Sequence, residues 1–234
     1  MSLLGSAVLV NWGGIRPDKE KDYNQWHSKE NMPEWISLPG FLRGYRAKGI
    51  EGTNLNHKYF MMYEAKNKEV FVSKEYLERL NNPTKWTKEI LSNYTSPSRT
   101  ICSVISSKSI GSGNFILTVR FLDEQFNKNR DLEQLKVFIS KVTEFQNITG
   151  MHFLVGDNSF GQMTTEEKKY RSSQGKQDQI ISQVIILEGL KLDSLKTALD
   201  HLIQKFSIKE NDRIIFNFYT CQHILTKQDL SKWW

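Results

Sequence analysis

The sequence contains little cysteine and no long apolar run, and each shortage excludes a class of protein. Only two of the 234 residues are cysteines, Cys102 and Cys221, and neither has a second Cys or His at metal-ligand spacing. This argues against a disulfide framework and a zinc site, and it predicts buried thiols in a reducing cytoplasm. No stretch approaches the ~18 apolar residues that a membrane helix needs, so no membrane is expected as a partner.

The signature motifs of several enzyme classes are also missing. The chain has no G-x-G-x-x-G, G-x-x-x-x-G-K-[ST], G-x-S-x-G or H-E-x-x-H. Nucleotide hydrolysis, serine hydrolysis and zinc peptidase chemistry therefore lose support. The apolar residues 3–10 have no basic region before them and lead directly into Asn11 and Trp12. This pattern is typical of a strand and not of a signal peptide, and we expect a cytoplasmic protein.

The net charge of +6 does not by itself point to nucleic acid. Residues 1–110 hold 16 basic and 11 acidic side chains, whereas residues 111–234 hold 16 and 15. The excess basic residues occur singly along the chain and not in blocks, so nucleic acid is not the expected partner. All five prolines lie at or before Pro97, and no tryptophan occurs between Trp86 and the terminal pair Trp233 and Trp234. We expect that pair to pack back on the body of the protein.

The chain reads as two copies of one pattern, separated by the Ser/Gly-rich residues 106–113. Apolar periodicity predicts the order strand, helix, strand, strand, helix, strand in each half. The first half has strands at 7–12, 41–48, 58–65 and 100–106, with helices from Pro17 onward and over 68–80 and 86–91. The second has strands at 115–122, 151–155, 180–187 and 213–223, with helices over 132–145 and 192–206.

This βαββαβ order is that of the ferredoxin-like unit, and equivalent positions in the two halves recur 108 to 114 residues apart. We therefore predict an α+β fold of two such repeats, residues 1–108 and 109–234. Both alternating faces of the strands are apolar, as at Val8 and Val10 against Ala7 and Leu9. The face that the helices leave bare must then be buried against the sheet of the other half. The expected product is a barrel-like core with helices outside.

Four stretches of the first half resemble the dimeric α/β-barrel superfamily, most closely its EthD-like and related uncharacterised branches. They are residues 23–34 (YNQWHSKENMPE), 38–41 (LPGF), 58–64 (KYFMMYE) and 82–87 (NPTKWT). Members often carry a W-Y-x-x-E-H-x-P-E helix, an L-P-G-F turn and a Y-x-x-x-Y-E strand. The resemblance implies that the two antiparallel sheets pack face to face as an intramolecular dimeric α/β-barrel. It covers residues 5–106 at motif level and the second half in topology only.

His27 is the candidate catalytic residue, because an imidazole is suited to proton transfer at neutral pH. In the family's E-H-x-P-E motif the histidine would fall at Asn31, and His27 lies one turn earlier beside Trp26. A packed histidine without a catalytic role is the alternative. The predicted ligand-binding residues are Trp26, Glu30, Asn31, Arg43, Tyr45, Tyr63 and Trp86. Aromatics with polar tips suit a flat organic ligand, but core packing explains the same residues without a ligand, and Glu30 can simply pair with a nearby cation.

The loop over residues 157–179 is long and polar where the first half needs only a short connection. We predict that this loop is disordered in preference to forming a lid. It has a run of charges at 166–169 and only a few apolar anchors, Phe160, Met163 and Tyr170.

Three functions are compatible with these features. The leading hypothesis is a protein that binds a small hydrophobic or aromatic molecule. If it is an enzyme, the resemblance implies cofactor-independent oxygenation, isomerisation or dehydration. No cofactor is expected; haem, used elsewhere in the superfamily, would need an axial ligand such as His152, His201 or His223. A non-catalytic structural or binding protein is the second hypothesis, and an RRM-like nucleic-acid binder, which shares the βαββαβ order, is the third. A homodimer is a possible assembly.

Overall fold

Eight antiparallel strands form the centre of the structure, a computed structural model that describes residues 2–50, 57–161, 163–173, 175, 177–209 and 211–230. The strands are β1 (Ala7–Ile15), β2 (Phe41–Gly49), β3 (Tyr59–Ala65), β4 (Tyr94–Ser109), β5 (Phe115–Phe121), β6 (Ile148–Gly156), β7 (Gln183–Gly189) and β8 (Ile214–Thr226). They close into one barrel in the order β1-β3-β2-β8-β5-β7-β6-β4.

Nine α-helices are defined among the described residues. They are α1 (Glu20–Trp26), α2 (Met32–Ser37), α3 (Lys74–Asn81), α4 (Lys85–Ser92), α5 (Asn129–Ser140), α6 (Asn158–Gly161), α7 (Glu166–Arg171), α8 (Leu192–Phe206) and α9 (Lys227–Leu230). Hydroxyl side chains cap three of them: Ser73, Thr84 and Thr165 accept hydrogen bonds from backbone N–H groups in the first turns of α3, α4 and α7. None of the described helices is long and apolar enough to cross a membrane.

The strand order repeats within the barrel, which confirms the predicted α+β fold of two ferredoxin-like units. The first unit contributes β4-β1-β3-β2 and the second contributes β8-β5-β7-β6, so each edge strand meets an edge strand of the other unit. Hydrogen-bonded pairing of β2 with β8 and of β4 with β6 joins the two sheets at both edges. The face-to-face sheets thus share one continuous ladder.

Buried apolar side chains form three layers, one inside the barrel and one between each sheet and its helices. The inner layer includes Val8, Val10, Trp12, Phe60, Met62, Ile116, Leu154, Val184, Ile186 and Tyr219. An RRM stacks bases on an open sheet face, whereas here the corresponding face lies inside the closed barrel. This arrangement argues against the RRM-like alternative.

The segment between β6 and β7 differs from its prediction. Its described residues include α6 and α7, and α7 packs against α3 and α4 of the first unit. Thr165, Glu167 and Arg171 are buried there. The prediction of disorder is therefore wrong for these residues, because ion pairs bury the charges that the sequence suggested were solvated. Trp233 and Trp234, predicted to pack on the body, lie outside the described residues.

Candidate functional site

His27 and Asn31 lie on a single π-helical turn, His27–Asn31, that connects α1 to α2. The defining hydrogen bond runs from the Met32 backbone N–H to the His27 carbonyl, five residues back. Such π turns shift side chains relative to an ordinary helix and are frequent at functional sites. This turn faces the outer surface of β3, where Tyr63 projects between the sheet and the helices.

Tyr63 connects the two helix residues through its hydroxyl. The Tyr63 hydroxyl donates to Asn31 Oδ1 at 2.9 Å and lies 3.0 Å from His27 Nε2. Because Tyr63 has a single proton and gives it to Asn31, His27 Nε2–H must be the donor to the Tyr63 oxygen. The lone pair of the imidazole is then at Nδ1, which has no hydrogen-bond partner among the described residues.

Burial determines the protonation states of the His27 imidazole and the Tyr63 phenol. It lowers the pKa of His27 well below its ordinary value, and the positive charges of Arg46 and His223 add to this effect. Burial likewise raises the pKa of Tyr63 well above its ordinary value. At neutral pH the imidazole and the phenol are therefore both uncharged, and Nδ1 is available as an acceptor.

His27 borders an inner chamber of about 40 Å³, with Trp26, Trp35, Met61, Leu91 and Tyr94 among the other lining residues. A cavity of about 150 Å³ is known to hold benzene, so this chamber admits small groups and not a ring. Most of the aromatic side chains around it are packed against one another. Trp35 stacks on Tyr63 with ring centroids 5.2 Å apart, for example.

Three of the predicted ligand-binding residues connect helical segments of the first half: Trp26, Glu30 and Trp86. Trp26 Nε1 donates to the Thr87 hydroxyl at 3.0 Å, and that hydroxyl donates to Glu30 at 2.9 Å. Glu30 also accepts from the Thr84 hydroxyl at 2.5 Å. Trp86 Nε1 donates to Asp22 at 3.0 Å. These contacts fasten the first helical segment to α4, and of the three residues only Trp26 also borders the inner chamber.

Arg43 and Tyr45 point the other way, into the barrel. The pairing register of β2 with β3 shifts between Phe41 and Arg43, so an extra residue inverts the alternation of faces. Arg43 Nε pairs with Glu64 Oε1 at 2.6 Å, and both side chains are almost fully buried. The Tyr45 hydroxyl lies 2.7 Å from that of Ser112. The structure thus brings Trp26, His27, Asn31 and Tyr63 together and separates Arg43 and Tyr45 from them.

A larger cavity of about 550 Å³ adjoins the inner chamber beneath the β6–β7 segment. Its described lining comes from α3, β4 and that segment: Tyr76, Leu80, Arg99, Phe160, Met163, Thr165, Lys168, Arg171, Ser172, Gly175, Gln177, Asp178 and Ile180. Arg99 and Arg171 line both spaces, so they form the boundary between them. The volume is in the range of small-molecule sites, roughly 300–1,000 Å³.

The two guanidinium groups at this boundary have different partners. Arg171 donates to both oxygens of Asp178, at 2.8 and 2.7 Å. Burial alone would raise the pKa of Asp178, but the charges of Arg171, Arg99 and Lys168 hold it below its ordinary value. Arg99 donates to the Tyr76 hydroxyl and lies over the Trp35 ring.

The site predicted from the sequence did not include the residues that line the larger cavity. Arg99 and Tyr76 belong to no recognisable motif, and they meet only through the fold. A partial signal existed in Phe160 and Met163, since these apolar residues in a polar loop both line the cavity.

The histidines do not fit a haem site. No histidine is among the described residues that line the larger cavity, and the chamber beside His27 is far too small for a porphyrin. His152 lies inside the barrel, where Glu188 and Ser107 bind its ring nitrogens. His201 is exposed, and His223 is half-buried on β8. Within the described part of the chain, no group of three or more His, Cys, Asp or Glu residues is placed to hold a metal ion.

Comparison with solved structures identifies the fold. An anthrone oxidase-like protein has a TM-score of 0.61 at 11% identity, covering 97% of this chain and 96% of that one. A putative monooxygenase from Fusobacterium nucleatum has a TM-score of 0.58 at 10% identity, with 96% of each chain covered. A mutant chlorite dismutase from Candidatus Nitrospira defluvii has a TM-score of 0.57 at 10% identity, with 98% and 97% covered.

No family model matches the sequence, and no curated protein matches it either. The closed eight-stranded barrel and these neighbours nevertheless agree along almost the whole chain. The protein has the fold of the dimeric α/β-barrel superfamily, formed by one chain in place of two.

Proposed function

We propose that this protein binds a small aromatic or hydrophobic organic molecule in the larger cavity, with His27 as the proton acceptor for the end of the ligand that reaches the inner chamber. The observation that carries the proposal is that the two spaces share Arg99 and Arg171. A ligand in the larger cavity therefore ends at the boundary of the chamber that His27 lines.

The chemistry begins with removal of a proton from the ligand. His27 Nδ1 is uncharged at neutral pH and has no hydrogen-bond partner among the described residues. Tyr63 and Asn31 hold the ring in the tautomer that leaves this nitrogen as an acceptor. Proton removal is the step that cofactor-independent oxygenation, isomerisation and dehydration have in common. The monooxygenase and anthrone oxidase-like neighbours favour oxygenation among these.

Exchange of the methyl protons of 2-acetylnaphthalene for deuterium tests this proposal, because the acetyl group is a small substituent that loses a proton when it enolises. Wild-type protein in D₂O with a chelator should speed this exchange, measured as loss of the methyl signal in the proton NMR spectrum. His27→Gln keeps a donor toward Tyr63 but removes the base, so we expect a rate at least about 100-fold lower. His201→Gln, on the exposed face of α8, is the matched control and should retain the wild-type rate. Equal rates for wild type and His27→Gln would refute the role of His27.

A binding protein without catalysis is the second candidate, and the volume of the inner chamber favours it. At about 40 Å³ the chamber admits only a small substituent beside His27. Under this candidate, wild type does not speed the deuterium exchange but still binds aromatic probes, and filling the larger cavity with Met163→Trp abolishes that binding.

A further inference from the structure

Arg99 is the distinctive charged group of the larger cavity. It lies on β4, opposite Asn11 of β1, and its backbone N–H donates to the Gln179 carbonyl at 3.2 Å. The Ser98 hydroxyl donates to the same carbonyl at 2.9 Å. These bonds attach the end of the β6–β7 segment to the barrel, so Arg99 projects from a rigid strand at the inner end of the cavity.

The carboxylates around the cavity are bound by other cations. Asp178 forms its two-fold contact with Arg171. Glu167, which lines the inner chamber, accepts from Arg79 Nη1 at 3.2 Å. No carboxylate oxygen of the described residues lies within 4 Å of the Arg99 guanidinium, which contacts the Tyr76 hydroxyl and the Trp35 ring.

A guanidinium in this setting favours an anion. Its planar fork matches a carboxylate with two parallel hydrogen bonds, and charge-assisted bonds of this kind are about twice as strong as neutral ones. The Tyr76 hydroxyl and the Trp35 ring hold the guanidinium in one orientation, so little side-chain entropy remains to be lost when an anion binds. Apolar residues, Leu80, Phe160, Met163 and Ile180, also line the cavity and suit a ring system.

We infer that the ligand of the larger cavity is an organic anion, a carboxylate attached to an apolar ring system, and that Arg99 binds its carboxylate. The inference rests on the proposed function, to which it adds the chemical class of the ligand. It also fixes the orientation: the carboxylate lies beside Arg99 at the boundary and the rings lie beneath α6 and α7, so a small substituent next to the carboxylate, and not the carboxylate itself, is the part that reaches His27.

Paired titrations with 2-naphthoate and its neutral isostere 2-naphthamide test this inference, using isothermal titration calorimetry on the full chain. Wild type should bind 2-naphthoate at least 10-fold more tightly than 2-naphthamide. Arg99→Gln should lose most of that preference while its affinity for 2-naphthamide stays within two-fold of wild type. Arg99→Lys, which keeps the charge without the fork, should retain a part of the preference. Arg130→Gln, on the exposed face of α5, is the control and should behave as wild type.

The outcomes separate the two proposals. Equal binding of both probes to wild type, or a preference that survives in Arg99→Gln, overturns the inference and leaves the proposed function standing. Failure of both probes to bind wild type overturns the proposed function, and the inference with it. The 2-naphthamide affinity of Arg99→Gln, together with its thermal unfolding midpoint, reports whether the cavity of that variant is intact.

Discussion

Removal of Arg43 should reveal the energetics of an ion pair inside the barrel. Arg43 Nε contacts Glu64 Oε1 at 2.6 Å, the guanidinium lies 4.9 Å from the Tyr45 ring centroid, and Glu64 Oε2 accepts from the Leu4 backbone N–H at 2.6 Å. Side-chain exposure is 7% for Arg43 and 0% for Glu64. Arg43→Met preserves much of the packing but leaves the Glu64 carboxylate buried, with the Leu4 backbone N–H as its remaining hydrogen-bond partner among the described residues.

The expected fall in the free energy of unfolding of Arg43→Met follows from the loss of the charge that neutralises Glu64. Breaking a buried pair by removing one partner costs about 3–5 kcal/mol, because the remaining charge is neither solvated nor neutralised. The double variant Arg43→Met/Glu64→Gln removes the charge while keeping an oxygen for the Leu4 N–H. We expect the double variant to be destabilised by only about 1–2 kcal/mol, so it should be more stable than the single Arg43→Met variant.

Urea unfolding at pH 7, followed by tryptophan fluorescence and circular dichroism, measures these free energies. A double-mutant cycle with coupling of about 2 kcal/mol or more would support the reasoning. A cost below about 1 kcal/mol for Arg43→Met, or additive effects in the cycle, would refute it. Either result would mean that Glu64 is compensated by something other than Arg43, such as a bound proton or water.

Two further predictions concern stability. Burial lowers the pKa of His27 below 6.5 in the folded state. As the pH falls below about 6.5 the unfolded chain takes up a proton that the folded chain does not, so stability should fall. Urea unfolding at pH 7.5 and pH 5 should show a smaller fall for His27→Gln, and an equal fall would contradict the assignment. Separately, a Cβ at Gly5 or Gly113 would lie 1.9 or 2.4 Å from backbone atoms at the ends of β3 and β7. Either Gly→Ala change should cost at least about 1–3 kcal/mol by thermal unfolding, whereas Gly111→Ala, with nothing within 4 Å, should be neutral. A neutral effect at Gly5 and Gly113 would show that the strand ends can move apart.

The fold was predictable because its signals are local and repeated. Apolar periodicity gave the element order in both halves, and equal spacing between equivalent positions indicated the duplication. Gly5 and Gly113, 108 residues apart, each pass close to the end of a neighbouring strand, so the repeat extends to backbone contacts. Apolar residues on both faces of the strands indicated that the second face is buried, which led to the barrel.

The site was predictable only where one helix turn and one strand define it. The helix and strand motifs of the family resemblance pointed to Asn31 and Tyr63, and His27 stands one turn before Asn31; the three residues form one hydrogen-bonded group. Arg43 and Tyr45 lie on the opposite face of the sheet from Tyr63 because of a β-bulge, and the sequence alone did not indicate that extra residue.

The β6–β7 segment could not be predicted for a different reason. Glu167 and Arg171 belong to a charged stretch of the chain, and the sequence alone predicts that such side chains are exposed to solvent. They are buried because Arg79 from α3 and Asp178 from the same segment compensate them. Such pairs join residues 7 to 88 positions apart, and only the three-dimensional fold brings them together.

The closed barrel within one chain has a consequence for how the two halves diverge. In a symmetric homodimer any insertion appears twice, once in each subunit. Here 26 residues separate β6 from β7, whereas nine separate β2 from β3, and α7 of the longer connection packs against helices of the first half. Because one chain forms both halves, an insertion can be confined to one of them, and here the insertion of the second half lines the larger cavity together with α3 and β4 of the first half. Substitutions in either half of the sequence can therefore change the lining of that cavity.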